Sequence, residues 1–377
     1  MCWCHILDGT MWGMRVLVVT TWFPSRKAPS SGAFVVKDVQ AIRAEGVDVR
    51  LIHLVNPKFD DGDRQFVYEG IPVIRIPYSP LNPLHAMKAA DIIRQYSAGA
   101  DLVHSMAISS LPATMRVKKP WVHTEHWSGL TNPDTRSSTL NAVMPIVRSV
   151  LKKPDFVTAV CEYLAQPIRE IRGERAVGIV PCIVPAADEI VEPVSVEEAG
   201  ELRMVTVGGL IKRKNPMMAL DVTEELLRRG VNARMIFVGE GPLREEIEKR
   251  ASQGTLRGHV TLTGNLNRAG VVESLNDSHV FLGPTNGDNF FVSCAESIAQ
   301  GRPVVVSDKG GQGEYVRPVA GRVLSDATAQ EYADAVQEVV GSASAQQIAD
   351  SIGDAFHPHS VGRGYREVYE SLVGGLV

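Results

Sequence analysis

Pro284-Thr285-Asn286-Gly287-Asp288-Asn289-Phe290-Phe291-Val292-Ser293-Cys294-Ala295-Glu296-Ser297-Ile298-Ala299-Gln300-Gly301-Arg302-Pro303-Val304-Val305-Val306 is the stretch whose reading decides the architecture of this chain. An apolar run from His279 to Leu282 leads into a polar Thr/Asn/Gly/Asp/Asn cluster. A small-residue segment of helical character follows and passes into the β-branched run Pro303 to Val306. Short apolar runs bounded by turn residues, with a longer segment between them, predict strand, loop, helix, strand. Asp288 is then expected on a loop at a strand's carboxyl end, and Glu296 in the first turns of the following helix. Ligands of open α/β sheets bind at that edge, where a helix N-terminus attracts anions such as phosphate. By themselves, two acids at this spacing fit equally well an ordinary loop carboxylate beside a solvated helix acid.

The neighbouring sequence repeats the same alternation. Leu202 to Gly208 predicts a strand, and Gly208-Gly209-Leu210-Ile211-Lys212-Arg213-Lys214-Asn215 a loop. Asn215-Pro216 predicts a helix start, with Asn as side-chain cap and Pro at the first helical position, in a helix that runs to Gly230. Strands at Arg234–Val238 and Val260–Thr263 and a helix from Ala269 continue the pattern. A cation cluster placed after a strand and before a helix N-terminus is suited to neutralising a diphosphate, although a solvated basic turn explains Lys212 as well.

The first half follows the same plan. Arg15 to Thr20 is continuously apolar until its last residue, as a strand buried on both faces should be. A loop ending at Gly32 precedes a helix with Val35, Val39 and Ile42 on one face and Gly46 as its stop, and Val47 to Val55 is the next strand. This βαβ unit lacks Gly-x-Gly-x-x-Gly, so a nicotinamide site is not predicted. Asp101–His104, Pro120–Ser128 and Asp155–Val160 supply further strands. His123-Thr124-Glu125-His126 does not suggest a metal, because i and i+3 on an extended strand face opposite sides. From Pro185 to Gly200 the composition turns acidic and non-periodic, which predicts a linker.

The whole therefore reads as an α/β protein of two doubly wound parallel-sheet domains. The domains are expected at residues 14–185 and 201–355, with a disordered extension over 1–13, a linker over 186–200 and a C-terminal helix over 356–377 that crosses back to the first domain. With 377 residues, 44% of them apolar, the chain can bury two cores, and a net charge of -4 offers no nucleic-acid footprint. No apolar run approaches the roughly 20 residues needed to span a bilayer. Five scattered cysteines, Cys2, Cys4, Cys161, Cys182 and Cys294, lack zinc spacing and suit a reducing cytoplasm.

The motif from Pro284 to Val305 resembles the acid-x7-acid signature of the retaining glycosyltransferases of family 4, which have the two-domain GT-B fold. In that family the wording is Pro-Ser-x-x-Glu-Gly-Phe-Gly followed by Glu-Ala-x-Ala-x-Gly-x-Pro-Val-Val. Here Thr285 stands for Ser, Asp288 for the first Glu, and Asn289-Phe290-Phe291 for Gly-Phe-Gly. The basic loop is similar to the family's Gly-Arg-Leu-spacer-Lys, with Gly209 where the family has Arg. Ser307 to Val316 is similar to its Gly-Gly-Pro-x-Glu turn.

The resemblance implies two Rossmann-like domains facing across a cleft, the first binding acceptor and the second a nucleotide-sugar donor. It implies Lys214, with Arg213 compensating for Gly209, on the donor's diphosphate and Glu296 on its ribose. Asp288 and the amides of Phe290, Phe291, Val292 and Ser293 fall to the sugar, and Leu266 to the base. Gly32 lies near the diphosphate, and His126 at the transferred sugar beside the reacting carbon. The implied activity is transfer from a UDP- or GDP-sugar to an acceptor hydroxyl, with no metal, no cofactor, no nucleic acid and at most peripheral membrane contact. Gly209 and Asp288 also keep two alternatives open: a nucleotide-sugar-binding subunit without catalysis, and a GT-B sugar-nucleotide epimerase.

Overall fold

The computed structural model describes residues 13–80, 82–133, 136 and 138–374. The extension expected over residues 1–13 lies, Gly13 apart, outside the described residues. Two compact units emerge: one formed by the chain up to Ile183 together with His357 onward, the other by Val184–Phe356.

Among the described residues, the first unit is built on eight strands: β1 (Met14–Thr20), β2 (Val47–Val55), β3 (Gln65–Tyr68), β4 (Ile71–Pro77), β5 (Leu102–Met106), β6 (Trp121–Glu125), β7 (Phe156–Ala159) and β8 (Val177–Ile179). Their order is β3-β4-β2-β1-β5-β6-β7-β8. All pairings are parallel except β3 with β4, an antiparallel edge hairpin that departs from the all-parallel expectation. Along β1 the alternation of side chains divides the core. Val16 and Val18 join the cluster on one face with Val35, Val39 and Ile42, while Leu17 and Val19 join Ile52, Leu54 and Ile93 on the other. Burial on both faces is why this run contains no alternating polar residues, and each such side chain contributes about 1.5–3 kcal/mol.

The helix Pro358–Val373 belongs to this unit and packs on the helix Ala33–Ala44. A Cβ at Gly362 would lie 2.4 Å from the carbonyl oxygen of Ala41, so the close approach of the two helices requires glycine there.

The second unit holds β9 (Leu202–Val207), β10 (Ala233–Val238), β11 (Val260–Gly264), β12 (Val280–Gly283), β13 (Val304–Ser307) and β14 (Gly321–Leu324), in the order β11-β10-β9-β12-β13-β14. Every pairing is parallel. The strand order reverses at β9 and β12, whose adjacent carboxyl ends open the crevice where such sheets bind ligands.

Residues 186–200, expected as a linker, are tied into this unit. The carboxylate of Glu192 accepts the amide of Ala345 at 2.8 Å, the Val194 carbonyl accepts His279 Nε2 at 2.9 Å, and Val191 O accepts the buried Arg302. Ser195 caps a short helix, Val196–Ala199. Asn215 is also corrected: it precedes the helix Pro216–Arg228 but adopts φ 51°, ψ 51°, and its side chain makes no capping bond. Asn serves here through its tolerance of the left-handed region.

Candidate active site

Two loops at the carboxyl ends of β9 and β12 build the centre of the second unit. The loop after β9 carries Lys212, Arg213 and Lys214 and ends at the N-terminus of the helix Pro216–Arg228. The loop after β12 carries Asp288 and ends at the N-terminus of the helix Val292–Ala299. They are stitched together through the backbone. The amide of Asn286 donates to Arg213 O at 2.7 Å, Thr285 Oγ1 donates to the same oxygen at 3.0 Å, and Asn286 Nδ2 donates to Lys212 O at 3.3 Å. From the other side Asp288 N donates to Lys309 O at 3.0 Å. A Cβ at Gly310 would lie 2.0 Å from the Asp288 carbonyl oxygen, so position 310 is glycine because the Asp288 backbone lies against it.

This stitching brings three of the expected site residues into one cluster. Lys214 Nζ donates to Asp288 Oδ2, Arg213 Nη1 lies 3.1 Å from the same oxygen, and Arg213 Nη1 donates to Gly287 O at 2.5 Å. Lys212 is exposed. The Lys214 ammonium also sits 3.9 Å from the centre of the Phe291 ring. Burial pulls the Lys214 pKa below its ordinary value, and the Asp288 carboxylate opposes that pull. Gly208, Gly209, Leu210, Lys214 and Pro284 line one hollow.

The helix Val292–Ala299 is capped by Phe291, whose carbonyl accepts the Cys294 amide at 3.0 Å, and the amides of Val292 and Ser293 before it have no carbonyl a turn earlier to bond. They are available to an anion or a sugar oxygen, with the helix dipole adding to the positive field of Lys214 and Arg213. Ser293 Oγ is turned to the Val207 carbonyl at 2.9 Å, so its side chain ties the helix to β9 and leaves the amide as its contribution to the site. The ring of Phe290 is buried against Tyr315 and Phe356, and only its backbone can serve a ligand. Glu296, on the same helix, lies 3.3 Å from Arg268, and Leu266 is 38% exposed on the loop after β11.

Gly32 and His126 belong to the first unit. Gly32 has φ 69°, and a Cβ there would lie 2.3 Å from the Trp22 carbonyl carbon. The return of the loop after β1 thus demands glycine whether or not an anion is bound. The helix that Gly32 opens brings Phe34 to 4.7 Å from the His126 ring and Asp38 Oδ2 to 3.9 Å from His126 Nε2. Burial pushes the His126 pKa down to about 4, with Glu125 opposing, and burial pushes the Asp38 carboxyl up to about 7. A neutral imidazole facing a carboxyl is suited to hydrogen bonding rather than to carrying a fixed charge.

Two contributors here were absent from the sequence expectations. Glu125 Oε1 accepts the amides of His126 at 2.9 Å and Trp127 at 2.7 Å, and Glu125 Oε2 lies 3.2 Å from His123 Nε2, so this carboxylate shapes the turn that presents His126. Asp38 is the other. Its signal was present as an acid three residues after Val35 and four before Ile42, on the apolar face of its helix.

The family described as glycosyl transferases group 1 matches residues 189–351, and the one described as glycosyl transferase 4-like domain matches residues 31–182. A GDP-mannose-dependent alpha-(1-6)-phosphatidylinositol dimannoside mannosyltransferase of Mycobacterium tuberculosis is 30% identical over 141 residues, covering 37% of this chain and 36% of the relative. The matched segments span about a third of the length of the first curated relatives. Among solved structures, a sucrose-phosphate synthase from Thermosynechococcus elongatus superposes with a TM-score of 0.77 at 17% identity, over 96% of this chain and 100% of that one. Anabaena HepE in complex with UDP and glucose gives a TM-score of 0.70 at 16% identity, over 95% and 100%. These two likenesses concern the fold.

Proposed function

The chain belongs to the group 1 glycosyl transferases with the GT-B fold, and from that premise we propose that it transfers a sugar from a nucleotide-diphosphate sugar to an acceptor hydroxyl. The donor is UDP- or GDP-linked, and the anomeric configuration is retained. The bond from the anomeric carbon to the β-phosphate oxygen breaks with its electron pair on that oxygen, the acceptor oxygen bonds the anomeric carbon on the face the leaving group vacates, and the acceptor's hydroxyl proton passes to the departing phosphate. No protein nucleophile is needed.

The observation that carries this reading is the convergence of Lys214, Arg213 and Asp288 between two helix N-termini at the reversal of strand order. Two cations and the leading amides of the helix Val292–Ala299 supply the charge neutralisation that a diphosphate leaving group requires, which is our ground for a metal-independent reaction. Asp288 and the amides of Phe290 to Ser293 serve the sugar, Glu296 the ribose, Leu266 the base, and His126 the sugar near the reacting carbon. The named relatives favour a nucleotide sugar: one is GDP-mannose-dependent, and one neighbour was solved with UDP and glucose. We place the protein in the cytoplasm, with peripheral membrane contact compatible with its acceptor; no helix among the described residues is long and apolar enough to cross a membrane.

Calorimetry with UDP and GDP tests the reading. Lys214→Ala should weaken binding about tenfold to a hundredfold, since a charge-assisted bond is worth about 1.5–3 kcal/mol, and Lys212→Ala should leave it nearly unchanged. Equal effects remove Lys214 from the site. Incubation with donors then separates the chemistry. Slow release of nucleoside diphosphate marks a transferase, binding without turnover a silent subunit, and an isomerised donor an epimerase.

A further inference from the structure

Phe291 occupies a position where the resembled family has glycine, and the backbone there shows why glycine would suit: φ is 59° and ψ 61°. A bulky side chain at positive φ is a steric outlier. The surroundings hold it in place. Tyr315 Oη donates to the carbonyl oxygens of Phe290 at 2.9 Å and Phe291 at 3.0 Å, fixing the backbone on both sides of the strained residue. The ring is 2% exposed and stacks edge-on against Phe281 at 5.6 Å. A Cβ at Gly283 would lie 2.8 Å from its Cε1 and Cζ, so the end of β12 lacks a side chain where the ring needs space.

The outer face of that ring carries the Lys214 ammonium at 3.9 Å. On this evidence we propose that Phe291 is a positioning residue, its ring holding Lys214 at the N-terminus of the helix Val292–Ala299 for contact with the donor's diphosphate. The inference rests on the nucleotide-diphosphate reading of the site.

Lys214 has two partners, and they behave differently when a ligand arrives. Asp288 is an anion, and it competes with phosphate for the same protons. The ring is neutral and attracts the ammonium through its quadrupole, so it repels nothing that binds on the other side. Lys214 can therefore exchange Asp288 for phosphate without leaving the ring. A flexible four-carbon stem with no such seat would be ordered only by the ligand itself, at a cost in side-chain entropy.

The test is a double-mutant cycle on affinity for UDP and GDP, read by ligand-observed NMR so that weak binding remains measurable. Phe291→Leu keeps apolar volume and removes the π face. It should weaken binding roughly 3- to 30-fold with Lys214 present, the range of a partly desolvated cation–π contact, and have no further effect in the Lys214→Ala background. Phe291→Gly, which fits the left-handed backbone, is run in parallel in case the leucine variant folds poorly, and should show the same dependence on Lys214. Equal losses in both backgrounds, or a lowered melting temperature with unchanged affinity, assign Phe291 to packing alone and overturn the inference. If the unsubstituted protein binds neither nucleotide, the reading of the site fails and the inference fails with it.

Discussion

Asp288→Asn separates two effects that the site concentrates in one carboxylate. Asp288 accepts from Lys214 and lies 3.1 Å from Arg213, so an incoming diphosphate must share those cations with it. A phosphate oxygen bonded to the same ammonium would stand about 5 Å from the carboxylate, given ordinary hydrogen-bond lengths. At an effective dielectric of about 20, two unit charges at that separation repel by roughly 3 kcal/mol. The side chains concerned remain 16–21% exposed. Water therefore screens part of the repulsion and leaves about 1–2 kcal/mol. Asparagine keeps the shape and removes the charge, so binding of the bare nucleoside diphosphate should tighten by about 5- to 30-fold. Turnover should move the other way. The neutral amide is a weaker acceptor for a sugar hydroxyl, and loss of a charged hydrogen bond should lower kcat by roughly tenfold or more. Calorimetry with UDP and GDP gives the first quantity, and release of nucleoside diphosphate from the donor with acceptor present gives the second. If Asp288→Asn weakens nucleotide binding as much as Lys214→Ala does, the carboxylate organises the cations for phosphate and does not compete with it. Unchanged turnover would separately remove Asp288 from the sugar.

Gly209→Arg should strengthen nucleotide binding by about tenfold, the low end for a charged hydrogen bond to phosphate. The backbone admits a side chain at this position, because a Cβ at Gly209 meets no atom closer than 3.8 Å; unchanged affinity by calorimetry would show that Arg213 already supplies the second cation. A further prediction concerns acid. Burial holds His126 down to about 4, His53 down to about 3 and His104 well below the ordinary value. The unfolded chain therefore binds more protons than the folded one below pH 6.5. These three residues contribute stability that is present above that pH and lost as pH falls toward 4, each by up to about 1.4 kcal/mol per pH unit. Asp38, raised to about 7, acts oppositely: its contribution is greatest below its unfolded value and is lost as pH rises from about 4 toward 7. Urea unfolding at pH 7, 6 and 5 should therefore show a decline that Asp38→Asn steepens and His126→Gln reduces, and a flat profile would contradict the buried, neutral state of these imidazoles.

The elements flanking Asp288 were legible because their signals are local. The run β12, the polar cluster and the small-residue helix follow one another between Val280 and Pro303 in the order strand, loop, helix, and β13 begins at Val304. The strand β2 and the stop at Gly46 emerged equally well, since hydrophobic runs and a left-handed glycine act within a few residues of themselves. What remained hidden depends on partners distant in sequence. Seven of the eleven strand residues of the hairpin β3–β4 are not buried, and Arg75 interrupts the apolar run of β4. Residues 186–200 have the composition of a linker, yet their carbonyls and one carboxylate serve Arg302, His279 and Ala345, more than 80 residues away.

Asn215 and Phe291 bring the two kinds of signal into opposition. Each is a non-glycine residue at positive φ, and each precedes the helix that follows one of the two site loops. For Asn215 the local preference and the observed backbone agree, and only the expected side-chain cap was wrong. For Phe291 the local preference opposes the observed backbone, which is why no sequence rule would place it there. A residue held against its own preference needs an outside restraint, and the Tyr315 hydroxyl, shared between two successive carbonyls, is the one the fold provides. Among the described residues of the second unit, the non-glycine residues at positive φ are Asn215, Phe291 and Asp326; Asn and Asp tolerate that backbone, so the conflict between preference and conformation falls on Phe291, the residue whose ring lies against Lys214.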